Sequence, residues 1–293
     1  MQPLYGDLTL PDGRNLRFTE DGEPGGRPVF VLHTSPGSKL LFEEHVADAS
    51  RRGLRLIGYD RAGYGGSTPR PGRVAVDEAS DVRAIADHLG IDRFAVWGHS
   101  KGGSYALACA AVLPERLVAV ASLGAVAPYP AEGLDWFAGV APANVADFRL
   151  FSQDPSAWRQ KLAREVDEMR NITHAALYEA LYGPSPNADR SALTPELVAY
   201  ARAQMHDGLS QGADGFIDDN LSDLAPWGFE LGSIRVPLQL WHGLDDQIVP
   251  LSHAKWLAAQ LPRAEIHLEP NEGHVSLFAR RIPEVQAWLA SHF

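Results

Sequence analysis

The sequence predicts an α/β protein whose mostly parallel sheet is covered on both faces. Short apolar runs alternate with stretches of helical periodicity through the first 126 residues. Runs such as PVFVLHT and FAVWGH are apolar throughout instead of alternating with polar residues, as strands buried on both sides require. The rhythm stops after residue 126 and resumes after residue 232, so residues 1–126 and 233–293 are expected to form one core and 127–232 an inserted helical cap.

LTLPDGRNLRFTEDG is expected to be a hairpin, two alternating strands about the Asp12-Gly13 turn. Residues 28–34 and 54–60 (LRLIGYD) have strand length, with a helix between them over about 40–52. Asp77 to Leu89 has helical spacing, with Val82, Ile85, Ala86 and Leu89 on one side. FAVWGH follows as a strand, 105–113 as a helix and 117–126 as a strand. The insertion shows helical patterns near 143–151, 155–170, 173–181, 195–209 and 215–224. Two final strands, 236–243 and 264–270, bring the total to eight and are followed by helices near 252–261 and 276–291.

Composition excludes several classes. The net charge of −11 argues against nucleic acid and anionic membranes, which need clustered Lys and Arg. No apolar run approaches the roughly 20 residues of a membrane span. The start, MQPLYGDLTLPDGRNLRF, has no basic region followed by an apolar run, so a signal peptide is not expected. Cys109 is the only cysteine; it cannot form an internal disulfide and lies on an apolar helix face. A cytoplasmic protein acting on a small molecule is the expectation. The insertion holds 16 Asp and Glu against 7 Lys and Arg, so most of the acidity sits there, either coating an outer face or biasing a cleft.

One motif carries chemistry. Gly98-His99-Ser100-Lys101-Gly102 reads G-x-S-x-G between a predicted strand and a predicted helix. A turn that sharp demands very small residues two before and two after the serine, and it exposes the hydroxyl at the carboxyl edge of the sheet. A serine hydroxyl is a weak nucleophile and needs a base and an orienter. Of the 11 histidines, His274 follows a strand on a loop begun by Asn271 and Gly273. His99 and His33 are expected to tie loops together, and His242, His253 and His267 to be packed or surface groups. The orienting acid should follow the preceding strand, where Asp245 and Asp246 are both candidates, one pointing inward and one outward. The backbone N–H groups of Lys101 and Ser35 are expected to face each other as an oxyanion hole. The Lys101 side chain is expected to extend to solvent. No HExxH or clustered Cys/His spacing suggests a metal, and no cofactor is expected.

With LHTSPGS, YDRAGYGGS, GHSKGG, WHGLDDQIVP and NEGHVSLF in this order and spacing, the chain resembles the capped, single-domain α/β-hydrolases from about Asp12 to Phe293. The resemblance implies an eight-stranded sheet with an inserted helical cap. It places the acid three residues after the glycine of G-x-x-D-x-x-V-P, hence Asp246, and implies a triad of Ser100, Asp246 and His274. It gives the loop bearing Arg61, Gly63, Gly65 and Ser67 a structural role. The family's usual His-Gly after the third strand is His33-Thr34 here, and a serine at the elbow argues against the branches with an Asp nucleophile. The function implied is hydrolysis of a small, largely neutral ester through an acyl-enzyme. Cap aromatics, among them Trp136, Phe137 and Phe148, are expected to line an apolar pocket. Two alternatives stay open. One is an aminopeptidase like the prolyl iminopeptidases, with acidic cap residues such as Asp218 and Asp219 holding an ammonium. The other is a ligand-sensing protein that turns over slowly or not at all, with Thr34 as its signature.

Overall fold

A computed structural model describes residues 3–183 and 185–293. Eight strands form one sheet: β1 (Leu4–Thr9), β2 (Asn15–Gly22), β3 (Arg27–Leu32), β4 (Leu54–Tyr59), β5 (Phe94–His99), β6 (Leu117–Leu123), β7 (Leu238–Gly243) and β8 (Glu265–Glu269). Their order is β1-β2-β4-β3-β5-β6-β7-β8, antiparallel at β1/β2 and β2/β4 and parallel elsewhere. The β1–β2 hairpin turns through Gly13, whose φ of 88° is open to glycine at little cost.

The uniform apolarity of the central strands has its cause in two cores, one on each face. Alternate residues of β3 and β5 go to opposite sides: Phe30, Leu32, Phe94 and Val96 to one, Val29, Val31, Ala95 and Trp97 to the other. Helices α1 (Glu43–Arg51), α2 (Asp77–His88), α3 (Lys101–Val112), α10 (Leu251–Gln260) and α11 (His274–Ala290) cover them. Val82 and Ile85 of α2, Leu107 and Cys109 of α3 and Leu257 of α10 pack on the first face. Ala49 of α1 and Leu277, Ile282, Val285 and Leu289 of α11 pack on the second.

Between β6 and β7 the described residues form helices and no strand: α4 (Pro142–Gln153), α5 (Pro155–Arg170), α6 (His174–Tyr182), α7 (Asn187–Arg190), α8 (Pro195–Gly208) and α9 (Asp214–Asp223). Their starts are written locally. Asp154, Thr173 and Thr194 accept backbone N–H bonds as caps of α5, α6 and α8, and Pro155 and Pro195 occupy first-turn positions that have no N–H to satisfy. The insertion meets the core by close backbone approach. Gly65 N–H donates to the Gly208 carbonyl at 2.7 Å, and Gly215 N–H to the Gly63 carbonyl at 3.2 Å. A Cβ on Gly63, whose φ is 86°, would collide with Gly215. This explains the glycines of the 61–67 loop, whose Ser67 Oγ accepts the Arg17 N–H at 2.9 Å. Trp227, grouped by sequence with the insertion, packs instead in the first core.

Candidate active site

Strand β5 ends at His99 and α3 begins at Lys101, so Ser100 alone makes the corner, with φ 59° and ψ −125°. Among the described residues only Asn271 shares a positive φ without being glycine, and such a backbone persists only where its surroundings enforce it. The enforcement is steric. A Cβ on Gly98 would run into the Gly102 carbonyl, one on Gly102 into the Leu32 carbonyl, and one on Gly103 into the Leu123 carbonyl. The Ser100 N–H is tied to the Leu123 carbonyl at 2.8 Å. The corner thus stands at the carboxyl end of the parallel strands, with the first N–H groups of α3 beside it.

His274 is the first residue of α11, two residues before the expected helix start. Its Nδ1 lies 2.7 Å from Asp246 Oδ2, while Asp246 Oδ1 accepts the N–H groups of Ile248 and Val249, both at 2.8 Å. Burial pushes the Asp246 carboxyl up, but the His274 imidazole and these N–H donors outweigh it and hold it at about 2. The same pair works on His274: burial opposes its charge, yet Asp246 raises its proton affinity above the ordinary value. Asp245 is exposed and carries no comparable bond. His99 ties the corner to His274: its Nε2 donates to the His274 carbonyl at 3.0 Å and its ring lies 4.5 Å from the His274 ring. Burial, then the neighbouring His274, depresses its pKa well below normal, so it is a neutral strut. His33, His242 and His253 likewise bond backbone atoms, at Thr34, Val249 and Trp136.

On the other side of Ser100 the outcome differs from expectation. The Lys101 side chain does not reach solvent. It is 4% exposed, pairs with Asp223 of α9 and lies 5.2 Å over the Tyr105 ring. Turning inward is favoured because α9 supplies a carboxylate, a partner invisible to a local reading of the motif. Ser35 faces the same region, its hydroxyl 3.0 Å from that of Tyr64. Thr34 keeps a negative φ, and its carbonyl accepts the Arg61 guanidinium at 3.0 Å and the His33 imidazole at 2.6 Å. The loop is thereby held from below without a glycine.

A buried ionic cluster underlies this wall. Asp219 of α9 accepts Arg61 at 2.6 Å, Arg73 at 2.5 Å, and the Tyr64 and Tyr105 hydroxyls each at 2.8 Å. Burial opposes its charge, but the two arginines and then Lys101 hold its pKa well below normal. Asp219 is therefore fully engaged and cannot serve as a free partner for an ammonium. Asp218 is buried beside it, its carboxyl raised mainly by burial.

Two cavities meet at Ser100, Ser35 and Ile248. The larger, about 690 Å³, runs under the insertion. Trp136 and Phe148 line it; Phe137 does not, but packs behind them at 5.1 and 4.7 Å between ring centres. Asp147, Glu165, Glu168, Asp219 and Asp223 also reach its wall, against Lys101 and Lys161. The smaller, about 240 Å³, has His274, Trp97, Leu197, Tyr200 and Phe278 in its wall.

Sequence reasoning missed one residue of consequence, Asp189. From the short α7 this buried carboxylate accepts the N–H groups of His274 at 3.1 Å and Ser276 at 2.8 Å, closing the first turn of α11. Gly273 is pressed against it, and a Cβ there would strike the carboxylate. The stretch SPNADR carries no signal for this, because its partner lies 85 residues away.

Fold and site define a class: a predominantly parallel sheet whose central strand delivers a strained serine to a tight strand–helix turn, beneath a helical insertion. The chain belongs to the alpha/beta hydrolase fold family, whose model matches residues 27–280. It is 27% identical to a proline iminopeptidase from Xanthomonas citri, over 92% of this chain and 90% of that protein. It is 25% identical to a 2-hydroxy-6-oxononadienedioate/2-hydroxy-6-oxononatrienedioate hydrolase from Cupriavidus pinatubonensis, over 91% and 88%. Among solved structures it resembles a thermophilic esterase from Thermogutta terrifontis, with a TM-score of 0.68 at 20% identity, covering 100% of this chain and 99% of that one. These likenesses define a hydrolase family and leave the bond cleaved to the chemistry of the site. No helix among the described residues is long and apolar enough to cross a membrane.

Proposed function

We propose that the protein is a serine hydrolase cleaving a small, largely neutral carboxylic ester, with Ser100 as nucleophile, His274 as general base and acid, and Asp246 as orienter. The observation that carries the reading is that a strained Ser100 shares the wall of one cavity with His274, whose Nδ1 is paired to the buried Asp246 behind it. Asp246 fixes the Nδ1–H tautomer of His274, which leaves Nε2 free to take the serine proton, and its charge stabilises the imidazolium that forms. Ser100 Oγ then bonds the carbonyl carbon, and the N–H groups of Ser35 and Lys101 receive the oxyanion. Collapse expels the alcohol with a proton from His274, and water releases the acid by the same path in reverse. The helices of 127–232 act as the cap that shelters these steps, and the protein works on a soluble small molecule. The test is labelling by a fluorophosphonate together with turnover of an activated ester. Both are expected in the native protein and neither in Ser100→Ala; labelling that survives in the variant rejects the assignment.

A second reading, an aminopeptidase, is favoured by the carboxylates in the larger cavity and by the iminopeptidase relative. Asp219 is consumed by its arginines and Asp223 by Lys101, so an ammonium would have to meet Glu168, or displace Lys161 from Glu165. A cationic ester would then outpace an anionic one of equal size, with a gap that narrows as salt screens the wall. A salt-independent ratio near one rejects this reading.

A further inference from the structure

The two cavities are not equivalent with respect to the base, and that difference orients the substrate. Of the two, only the smaller has His274 in its wall, whereas Lys101 borders only the larger; Ser100 and Ser35 border both. The group that leaves must collect its proton from His274, so its oxygen lies on the His274 side of the scissile carbon. We propose that the smaller cavity is the leaving-group site, that it takes a compact apolar alcohol while the acyl arm extends into the larger cavity, and that it accepts such an alcohol as an acyl acceptor in competition with water. This rests on the reading of Ser100 and His274 given above.

The chemistry of the small cavity fixes the alcohol's class. Its side walls are aliphatic and aromatic: Leu193, Leu197, Tyr200, Met205 and Phe278. The polar groups on the α8 side, Gln204 and Tyr200, are already occupied. Gln204 accepts the Ser38 N–H and donates to the Leu40 carbonyl at 2.5 Å and to the Tyr200 hydroxyl at 2.6 Å, and Tyr200 donates to the Leu40 carbonyl at 3.3 Å. An alcohol with further hydroxyl groups would bury them without partners, which is costly. An apolar one gains by burial, about fourfold in kcat/KM per added methylene until the space is filled. The volume, about 240 Å³, equals roughly eight water molecules in the liquid, enough for a benzyl or pentyl group.

Acyl transfer follows from reversibility. Once the first alcohol has left, whatever occupies its place on the His274 side attacks the acyl-enzyme. The acceptor's oxygen bonds the acyl carbon, the bond to Ser100 Oγ breaks, and the acceptor's proton passes to His274 and then to Ser100 Oγ. Nothing is oxidised or reduced. An apolar site that offers water few partners gives an apolar alcohol the advantage.

The experiment partitions one acyl-enzyme. p-Nitrophenyl butanoate is turned over with benzyl alcohol, pentan-1-ol or glycerol at equal concentration, and butanoate esters and butanoic acid are quantified by gas chromatography. The two apolar alcohols are expected to capture the acyl group at least tenfold better than glycerol. Ala201→Phe, which projects from α8 into the small cavity, should lower that advantage about tenfold and shift preference from benzyl to methyl esters of the same acid. Ala201→Leu asks the same with a smaller intrusion. Equal capture of all acceptors, or acid as the only product, overturns the proposal. A variant that changes acyl-chain preference and leaves alcohol preference untouched shows the arms reversed and overturns it too. Loss of the underlying hydrolase reading is recognised separately, by fluorophosphonate failing to label Ser100.

Discussion

Asp189 gives the sharpest test of how the insertion supports His274. Its carboxylate accepts two buried backbone N–H groups, those of His274 and Ser276, at the start of α11. Asp189→Ala strands both donors. At about 1–3 kcal/mol for each buried unsatisfied group, with some relief from water entering the space, the expected loss is roughly 2–4 kcal/mol. For a chain of this size that lowers Tm by about 3–7 °C. Asp189→Asn separates charge from packing, since it keeps one acceptor oxygen and the shape. The negative charge of Asp189 is one of the influences raising the proton affinity of His274, after those of Asp246. Removing it lowers the imidazole pKa, so the base form persists to lower pH and the acidic limb of kcat/KM moves down the pH scale. The assays are thermal melting followed by circular dichroism and a pH–rate profile with a neutral p-nitrophenyl ester. A Tm for Asp189→Ala within 1 °C or so of the native value, or an acidic limb in Asp189→Asn at or above the native one, would refute the reasoning.

Two further predictions follow from the same site. Asp246→Asn should lower kcat by up to about 10⁴, while the exposed Asp245→Asn stays within a fewfold of native; the reverse order, measured with one activated ester, rejects the role given to Asp246. Asp246 also contributes stability with a defined sign. Its folded pKa of about 2 lies below the ordinary 3.8, so the contribution is complete above pH 4 and is lost as pH falls toward 2; it amounts to roughly 2 kcal/mol. Urea unfolding of Asp246→Asn should accordingly show a shallower loss of stability across that window, and an unchanged slope would contradict it. Asp219→Asn, which leaves two buried guanidinium groups short of their counter-charge, should cost about 3–5 kcal/mol and is checked by the same unfolding measurement; a cost below about 1 kcal/mol would show the cluster to be solvated in solution.

How much of this was legible depends on the range of the interaction. The strands and the corner at Ser100 could be read because their requirements are local: apolar runs and glycines at fixed offsets; between Asp245 and Asp246 the residues alone left the choice open, and only the family resemblance, counted from Gly243, pointed to Asp246. The course of the Lys101 side chain could not, since its partner Asp223 lies 122 residues away. Asp219, a candidate ammonium ligand by sequence, proved to be the hub of two arginines 158 and 146 residues distant. A pattern of charge reports that an acid is present but not which cation it has already met. The aromatic residues divided for a similar reason. Trp136 and Phe148 reach the cavity, while Phe137, next to one of them in sequence, packs against their rings instead, a choice set by the tertiary contact and not by its place in the sequence.

The Asp219 cluster has a mechanical consequence. Helix α9 is bolted to core loops by a carboxylate that neutralises two arginines in a dry environment, and swinging this end of the insertion outward would strip all three charges of their partners. At several kcal/mol, that edge is closed in nearly all molecules at equilibrium. The other side of the larger cavity is closed differently, by aromatic contacts of α4 and by Lys161 of α5, whose bonds to Asp147 and Glu165 lie near the surface and are worth little once wetted. The insertion is thus built as a leaf with one fixed edge and one loose edge. Its α9 edge is held by buried charge, and its α4–α5 edge by half-exposed ion pairs and ring contacts.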